Sequence, residues 1–522
     1  MALPVYEHDH LCVDAIAHNA RFYRARTAVV CGPDRLTWQE LDRKVNQTAN
    51  ALIGLGCTKG TKVCMFMPNA IESFVLFWGT VKAGGVIVPL NLMLDGASLA
   101  RLATASEGVL IFANAGSRAQ IDAVRGELPN IRADGFYLFG GAAAKTADGW
   151  ADADALVAAA SPAPPPVKVD AADAMTIIYT SGTTGTPKGI EHSHFGRLNY
   201  AYGFGAGLEI GRYSVAICAT PIYASGTWIT MLPTLYNGGK IVLLPKFTPA
   251  AFLDAVADEG GTHSFMVPAM YVSILQHADR SRDASTLKVL VSAGQTMTMA
   301  TREQLAARFP AAGIYEVYGM TEGFFTIATP ADFARGKRNT VGMPGFLEDI
   351  RIVGEDDAEL ATNATGEIVA YGPGMMNGYY GRPDLTEETV WVSPAGRTYL
   401  RSGDLGHIDD DGFLYVSGRK KDMIKSGGIN IYAVDIEEVL MAHEAVGEVA
   451  VIGIPDERWT ETPIAVVALR PGSALGEDEL LTWTNARLAK YQRLTRVVFA
   501  DDFPRATYGK IQKDKLRETY GG

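Results

Sequence analysis

The chain is 522 residues long, with 48% hydrophobic and 20% charged residues, which excludes both a disordered chain and a single small domain. Lys and Arg total 47 against 58 Asp and Glu, a net charge of -11. That balance excludes a general attraction to nucleic acid or anionic lipid, so any phosphate must be held locally.

The N-terminal segment has early acidic residues and no basic start before an apolar run, so no secretory signal is expected. Leu36, Leu41, Val45, Ala49 and Leu52 recur at helical spacing behind Thr37, a cap candidate, and predict a helix over 36–55. The apolar stretch from Ser73 to Leu94 is interrupted by Lys82, two glycines and a proline, so no membrane span is expected. Five scattered cysteines, Cys12, Cys31, Cys57, Cys64 and Cys218, offer neither a disulfide framework nor a zinc pair and point to reduced thiols in a cytoplasmic protein.

Short β-rich runs (TKVCMFM, GVIVPL, SVAICATP, KIVLLP, THSFMVP, LKVLVSAG) alternate with helix-like stretches, the rhythm of parallel βαβ construction. The proline-rich passage SPAPPPVKVDAAD predicts an extended connection and a subdomain boundary near 160–173. Glycine-punctuated strands from about 341 to 418 predict a small β unit. The expected architecture is α/β: a large N-terminal domain over 1–420, built of βαβ subdomains plus that β unit, and a small mobile α+β domain over 421–522. No fixed-period repeat is visible.

The most informative stretch is YTSGTTGTPKG, Tyr179 to Gly189, entered from the apolar run MTII. Its small residues permit close backbone approach, and Thr180, Ser181, Gly182, Thr183, Thr184, Gly185 and Lys188 supply N–H groups, hydroxyls and a cation suited to a polyphosphate. The Walker pattern does not fit, because Lys188 is followed by glycine.

This stretch, followed in order by YGMTEG (318–323), TGE (365–367), GYYGRPDLT, RSGDLGHIDDDGFLYVSGRKKDMIKSGGIN and PRATYGK (504–510), resembles the adenylate-forming superfamily of acyl-CoA synthetases, peptide synthetase adenylation domains and luciferases. The resemblance implies a soluble enzyme that joins a carboxylic acid to ATP, releasing pyrophosphate, and passes the acyl group to coenzyme A, releasing AMP. It implies Glu322 as a contact for Mg²⁺, Thr321 as a contact for the α-phosphate, and Tyr318 packed on adenine beside Gly294. Glu316, Val317, Gly319 and Met320 would complete the nucleotide contacts. Asp404 would bind the ribose hydroxyls with Arg419 beside it, and Lys510 would be the lysine of the adenylation step. Lys421 would be the hinge, Ser426, Gly427 and Gly428 would line the pantetheine path, and Trp459, Tyr491, Arg493 and Arg496 would face the CoA nucleotide. Two alternatives stay open: transfer to a carrier-protein phosphopantetheine, and a non-catalytic nucleotide-binding module. A homodimer also stays open.

Where many relatives of that superfamily have an aromatic-His pair, this chain reads PIYASGTW, with Tyr223 and Ala224 at those positions. By the same resemblance the acid pocket is lined by Tyr202, Ala224, Ser225, Gly226, Phe265, Ala293, Val317, Gly319, Phe324 and Phe325. None of these carries a charge, so a second carboxylate would be buried unpaired, and a monocarboxylic acid of aromatic, alicyclic or medium-chain type is expected. His192 and His194, in EHSH, are read as structural rather than as a metal pair.

Overall fold

The computed structural model describes residues 10–141, 149–180, 188–427, 429–505 and 511–521. Local signals set its first elements. Thr37 caps the helix Trp38–Gly54 in a reciprocal box: its Oγ1 accepts from the Glu40 N–H, while the Glu40 carboxylate accepts from the Thr37 N–H at 2.8 Å. Leu41, Val45, Ala49 and Leu52 all fall on the buried face of this helix. Leu36 is buried too, but from the strand Asp34–Thr37 that precedes the cap.

The chain divides into two compact units. The first holds residues up to Gly336 together with Pro344–Glu348 and Gly372–Glu388. One of its sheets runs, strand by neighbouring strand, Gly378–Tyr379, Lys188–Ser193, Ala174–Thr180, Val86–Pro89, Lys62–Phe66, Leu110–Asn114, Phe136–Phe139 and Ala151–Asp152. The strands from Ala174–Thr180 onward are parallel, whereas Lys188–Ser193 turns back antiparallel against Ala174–Thr180. A second, nine-stranded sheet contains Val215–Cys218, Lys240–Leu243, His263–Met266, Val289–Ala293, Gly313–Gly319 and Phe325–Ala328. The β-rich runs of the sequence are therefore the central strands of these sheets, and helices cover them as the βαβ rhythm requires. The apolar stretch after Ser73 becomes the buried helix Ile71–Lys82 and the strand Val86–Pro89, where Phe77 meets Trp228 edge to face at 5.2 Å. Residues 161–173 contain no helix or strand, and the Asn50 amide holds that passage by donating to the carbonyls of Ser161 and Ala163.

The second unit comprises Lys337–Met343, Asp349–Tyr371 and Thr389–Gly522. An antiparallel sheet is built on the long strand Thr398–Ile408, flanked by Gly366–Tyr371, Val390–Val392 and Leu414–Arg419. A further sheet centres on Thr460–Leu469, and Ile436, Leu440, Val451 and Leu480 fill its core. No described helix is long and apolar enough to cross a membrane.

Thr37→Ala removes one half of the capping box and should cost about 1 kcal/mol, read as a lower midpoint in urea denaturation.

Candidate functional site

The first unit places Lys188 at the start of the strand Lys188–Ser193, opposite Thr180 in the register. Residues 181–187, among them Ser181, Gly182, Thr183, Thr184 and Gly185, lie outside the described residues. Lys188, Ile190 and His192 alternate onto one face of the strand. From that face Lys188 Nζ sits 5.0 Å from the ring centre of Tyr379, and the Tyr379 hydroxyl donates to Glu322 Oε1 at 2.9 Å. His192 Nε2 lies 2.8 Å from the carbonyl oxygen of Thr321.

The loop after the strand Gly313–Gly319 is thus held from several directions. Ser225 Oγ and Thr321 Oγ1 are 2.9 Å apart, and the Met376 N–H donates to the Glu322 carbonyl at 2.7 Å. Gly323, at φ +147°, faces the backbone of Met375, where a β-carbon would collide with the Met375 α-carbon. The backbone of Tyr318–Gly323 is fixed while Thr321 and Glu322 remain half-buried at its surface. Tyr318 is half-buried and meets Phe324 edge to face at 5.7 Å, and Gly294 takes φ +87° at the end of the strand Val289–Ala293. Val317 is buried, Gly319 is exposed and Met320 is half-buried. The side chain of Glu316 is spoken for: Arg302 Nη2 donates to its Oε2 at 2.8 Å with both groups 7% exposed. Burial raises that carboxyl above its ordinary value, and the Arg302 cation pulls it back. Any nucleotide contact from Glu316 therefore falls to its backbone.

The aromatic residues named for the acid pocket fall into separate groups in the structure. Phe325 stacks on Phe204 at 4.0 Å and meets Tyr200 at 6.1 Å, and Gly226 lies directly against Phe265. Tyr202 is not in this group. It is 42% exposed, with its hydroxyl 3.0 Å from that of Tyr236, because two residues along the helix His194–Gly207 turn the side chain about 200° away from Tyr200. Tyr200, not Tyr202, packs beside Phe325. Phe324 packs under Tyr318, while its neighbour Phe325 enters the strand facing the other way. Ala224 is buried, Ser225–Thr227 forms a short turn into the helix Trp228–Tyr236, and Ala293 is half-buried.

Two charged groups in this region escaped the sequence reading. Arg197 is 1% exposed, in the first turn of the helix His194–Gly207. Glu348 is pushed up to about 8 by burial, near Tyr200, and its Oε2 has no hydrogen-bond partner among the described residues. His194 is also buried, which lowers it to about 4, and no cluster of three or more potential metal ligands occurs among the described residues.

In the second unit the hairpin register sets Asp404 opposite Arg419, whose Nη1 donates to Asp404 Oδ1 at 2.9 Å. Lys421 Nζ bonds Asp514 at 2.7 Å, and Arg517 bridges Asp514 and Asp422, so the turn Lys420–Asp422 is tied to the helix Lys513–Tyr520. Ser426 ends the strand Ile424–Ser426. Gly427, at φ +56°, lies against the ring of Trp459 and donates its N–H to the Trp459 carbonyl. Trp459 is 44% and Tyr491 49% exposed, and Arg493 is exposed as well. Arg496 also stands at the surface but spends one nitrogen on the Tyr520 carbonyl. Gly428 and Lys510 lie outside the described residues, and nothing is described of the Thr180 side chain.

The sequence profile described as AMP-binding enzyme matches residues 16–380, and that of the AMP-binding enzyme C-terminal domain matches 435–510. The chain belongs to the AMP-binding enzyme family. Among its curated relatives within that family, a feruloyl-CoA synthase of an Amycolatopsis species is 35% identical over 509 residues, covering 96% of this chain and 97% of the relative. A long-chain-fatty-acid–CoA ligase of Mycobacterium tuberculosis is 30% identical over 93% of each chain. The crystal structure of ATP-bound MatB from Rhodopseudomonas palustris superposes with a TM-score of 0.86 at 29% identity, covering 97% of this chain and 99% of that one.

Against that family background, Tyr379 is a site residue the motifs contained without revealing. It lies in the GYYGRPDLT segment, whose pairing of Tyr379 with Ile190 brings it to the Lys188 face. Two substitutions test the electrostatics of this family member. Arg302→Met strands the buried Glu316 carboxylate and should cost about 3–5 kcal/mol in equilibrium denaturation, most of which a second change, Glu316→Leu, should recover. Glu348 keeps its proton up to about pH 8 in the folded chain against an ordinary value of 4.5, so the wild type loses stability as pH rises between those values. The melting temperature of Glu348→Gln relative to wild type should therefore climb from pH 5 to pH 8 and level off above; a constant difference across that range would contradict the buried carboxyl.

Proposed function

We propose that this chain is an ATP-dependent, AMP-forming acid–CoA ligase that makes an acyl-adenylate from a compact monocarboxylic acid, aromatic by preference, and then an acyl-CoA thioester. The observation that carries the reading is the convergence on one fixed loop: Ser225 on Thr321 and Tyr379 on Glu322, with Lys188 behind Tyr379. Family membership and the feruloyl-CoA synthase relative support the reaction class. The aromatic cluster of Tyr200, Phe204 and Phe325, with Phe265 packed directly against Gly226, supports an aromatic acyl group over a very long chain.

The physical problem of the first step is that a carboxylate must approach a phosphate, both anionic. Glu322 offers a hard carboxylate oxygen on a rigid loop, and a carboxylate beside substrate phosphates suits Mg²⁺, which would neutralise charge on those phosphates when bound. Thr321 and Ser225 offer hydroxyls at the meeting point of the two substrates. Lys188 and Lys510 are assigned to the phosphates and to the developing oxyanion, a task for a compact cation on a flexible stem. Asp404 takes the ribose hydroxyls with Arg419 beside it. For the thiol step, Lys421 is assigned as the pivot of the C-terminal domain. Gly427 and Gly428 line the pantetheine, and Trp459, Tyr491 and Arg493 meet the CoA nucleotide.

The test is acid-dependent exchange of pyrophosphate into ATP together with CoA-dependent AMP release over a panel of hydroxycinnamic, arylacetic, benzoic and C4 to C16 acids. Exchange with aromatic acids, followed by thioester formation, is the expected result; absence of exchange with every acid would refute the ligase reading. Lys510→Ala should lower exchange by about 10²-fold or more while leaving thioester formation from supplied acyl-AMP within a few-fold.

A further inference from the structure

Arg197 presents a physical anomaly. A guanidinium 1% exposed ordinarily sits against a carboxylate, because an unpaired buried charge is costly. Among the described residues no carboxylate lies within ion-pair distance of it, and its Nε has no hydrogen-bond partner. Burial lowers its pKa to about 10, which still leaves it charged at neutral pH. Its charge rests on the face of Trp228, 4.6 Å from the ring centre, and near that of Tyr200 at 5.3 Å. Among the described residues its side chain hydrogen-bonds His192: Nη2 lies 2.8 Å from Nδ1, with Nε2 farther off at 3.3 Å.

That bond decides the state of the imidazole. A guanidinium can only donate, so Nδ1 accepts and the proton resides on Nε2. Nε2 faces the carbonyl oxygen of Thr321 at 2.8 Å, an atom that can only accept. Both contacts are satisfied by a single neutral tautomer. Protonation would oppose two cations in a dry environment; burial, reinforced by the Arg197 charge, holds His192 well below its ordinary value. His192 is the last residue but one of the strand that begins at Lys188, so the relay ties the exit of the phosphate-binding segment to the loop carrying Thr321 and Glu322.

We propose that Arg197 and His192 are positioning residues for the adenylation step: Arg197 locks His192 in the Nε2–H form, and His192 anchors the Thr321 carbonyl so that the Thr321 hydroxyl stays against Ser225. The inference rests on the ligase reading for its catalytic consequence but not for its structural one. It also gives the region around Ala224, which lacks the imidazole common in similar enzymes, a different imidazole that acts on the loop rather than on the acid.

Two variants and two readouts test it. The double substitution His192→Leu with Arg197→Leu replaces a buried polar pair by apolar groups, an exchange folds often tolerate. His192→Gln keeps a donor for Thr321 and an acceptor for Arg197. Hydrogen–deuterium exchange over 318–323 in the unliganded protein should be about tenfold faster in the double variant and near wild type in His192→Gln. The kcat for pyrophosphate exchange should fall about tenfold or more in the double variant, with the melting temperature and the KM for ATP little changed, and His192→Gln should stay within about threefold of wild type. Wild-type loop protection in the double variant would overturn the proposal whether or not the chain is a ligase. So would a His192→Gln variant that melts normally yet shows the loop exchange of the double variant. If wild type shows no pyrophosphate exchange with any acid, the ligase reading fails while the loop measurement still decides the relay.

Discussion

The site of the first unit depends on the immobility of six residues, Tyr318 to Gly323. Their backbone follows a strand of the nine-stranded sheet and is then pinned by groups distant in sequence: His192, Ser225, Met375 and Met376, and Tyr379. Two anionic partners can be brought together only if the groups that compensate their charge are in place beforehand, because reorganisation at the moment of reaction would forfeit the gain. A loop fixed through both its backbone and its side chains meets that demand. The lack of space at Gly323 is the same constraint expressed sterically.

The electrostatics are local for the same reason. The chain as a whole is acidic, and a general field would repel ATP and an acid alike. Positive charge is supplied where the fold carries it: Lys188 at the start of its strand, and Arg197 buried behind the loop. The depressed His192 and the elevated Glu348 show how far the interior here departs from water, and both shifts keep neutral groups where an additional ion would be costly.

Much of this was legible in the sequence. The α/β construction followed from β-rich runs at regular intervals, and the helix behind Thr37 from its apolar period and cap. YGMTEG was visible because an unusual backbone demand, at Gly323, selects an unusual residue type. What periodicity could not supply was which face a side chain takes near the end of an element. The sequence reading names Tyr202 and Phe324 for the acid pocket; in the structure Tyr202 meets Tyr236 at the surface and Phe324 packs under Tyr318, while Tyr200 and Phe325 cluster with Phe204. Arg197, Glu348 and Tyr379 went unread because nothing in their local sequence marks them. Their significance lies in partners far along the chain, and only the tertiary fold makes those pairs. The proline-rich segment carries no helix or strand, and residues on both sides of it belong to the first unit.

The most direct measurement of the central claim is a crystal structure grown with ATP and Mn²⁺ in place of Mg²⁺, with the metal located by its anomalous scattering. The account predicts a peak in coordination distance of the Glu322 carboxylate, a phosphate oxygen beside the Thr321 hydroxyl, and Tyr318 to Gly323 unmoved. A nucleotide bound with its metal away from Glu322, or a loop rebuilt to receive it, would contradict the account.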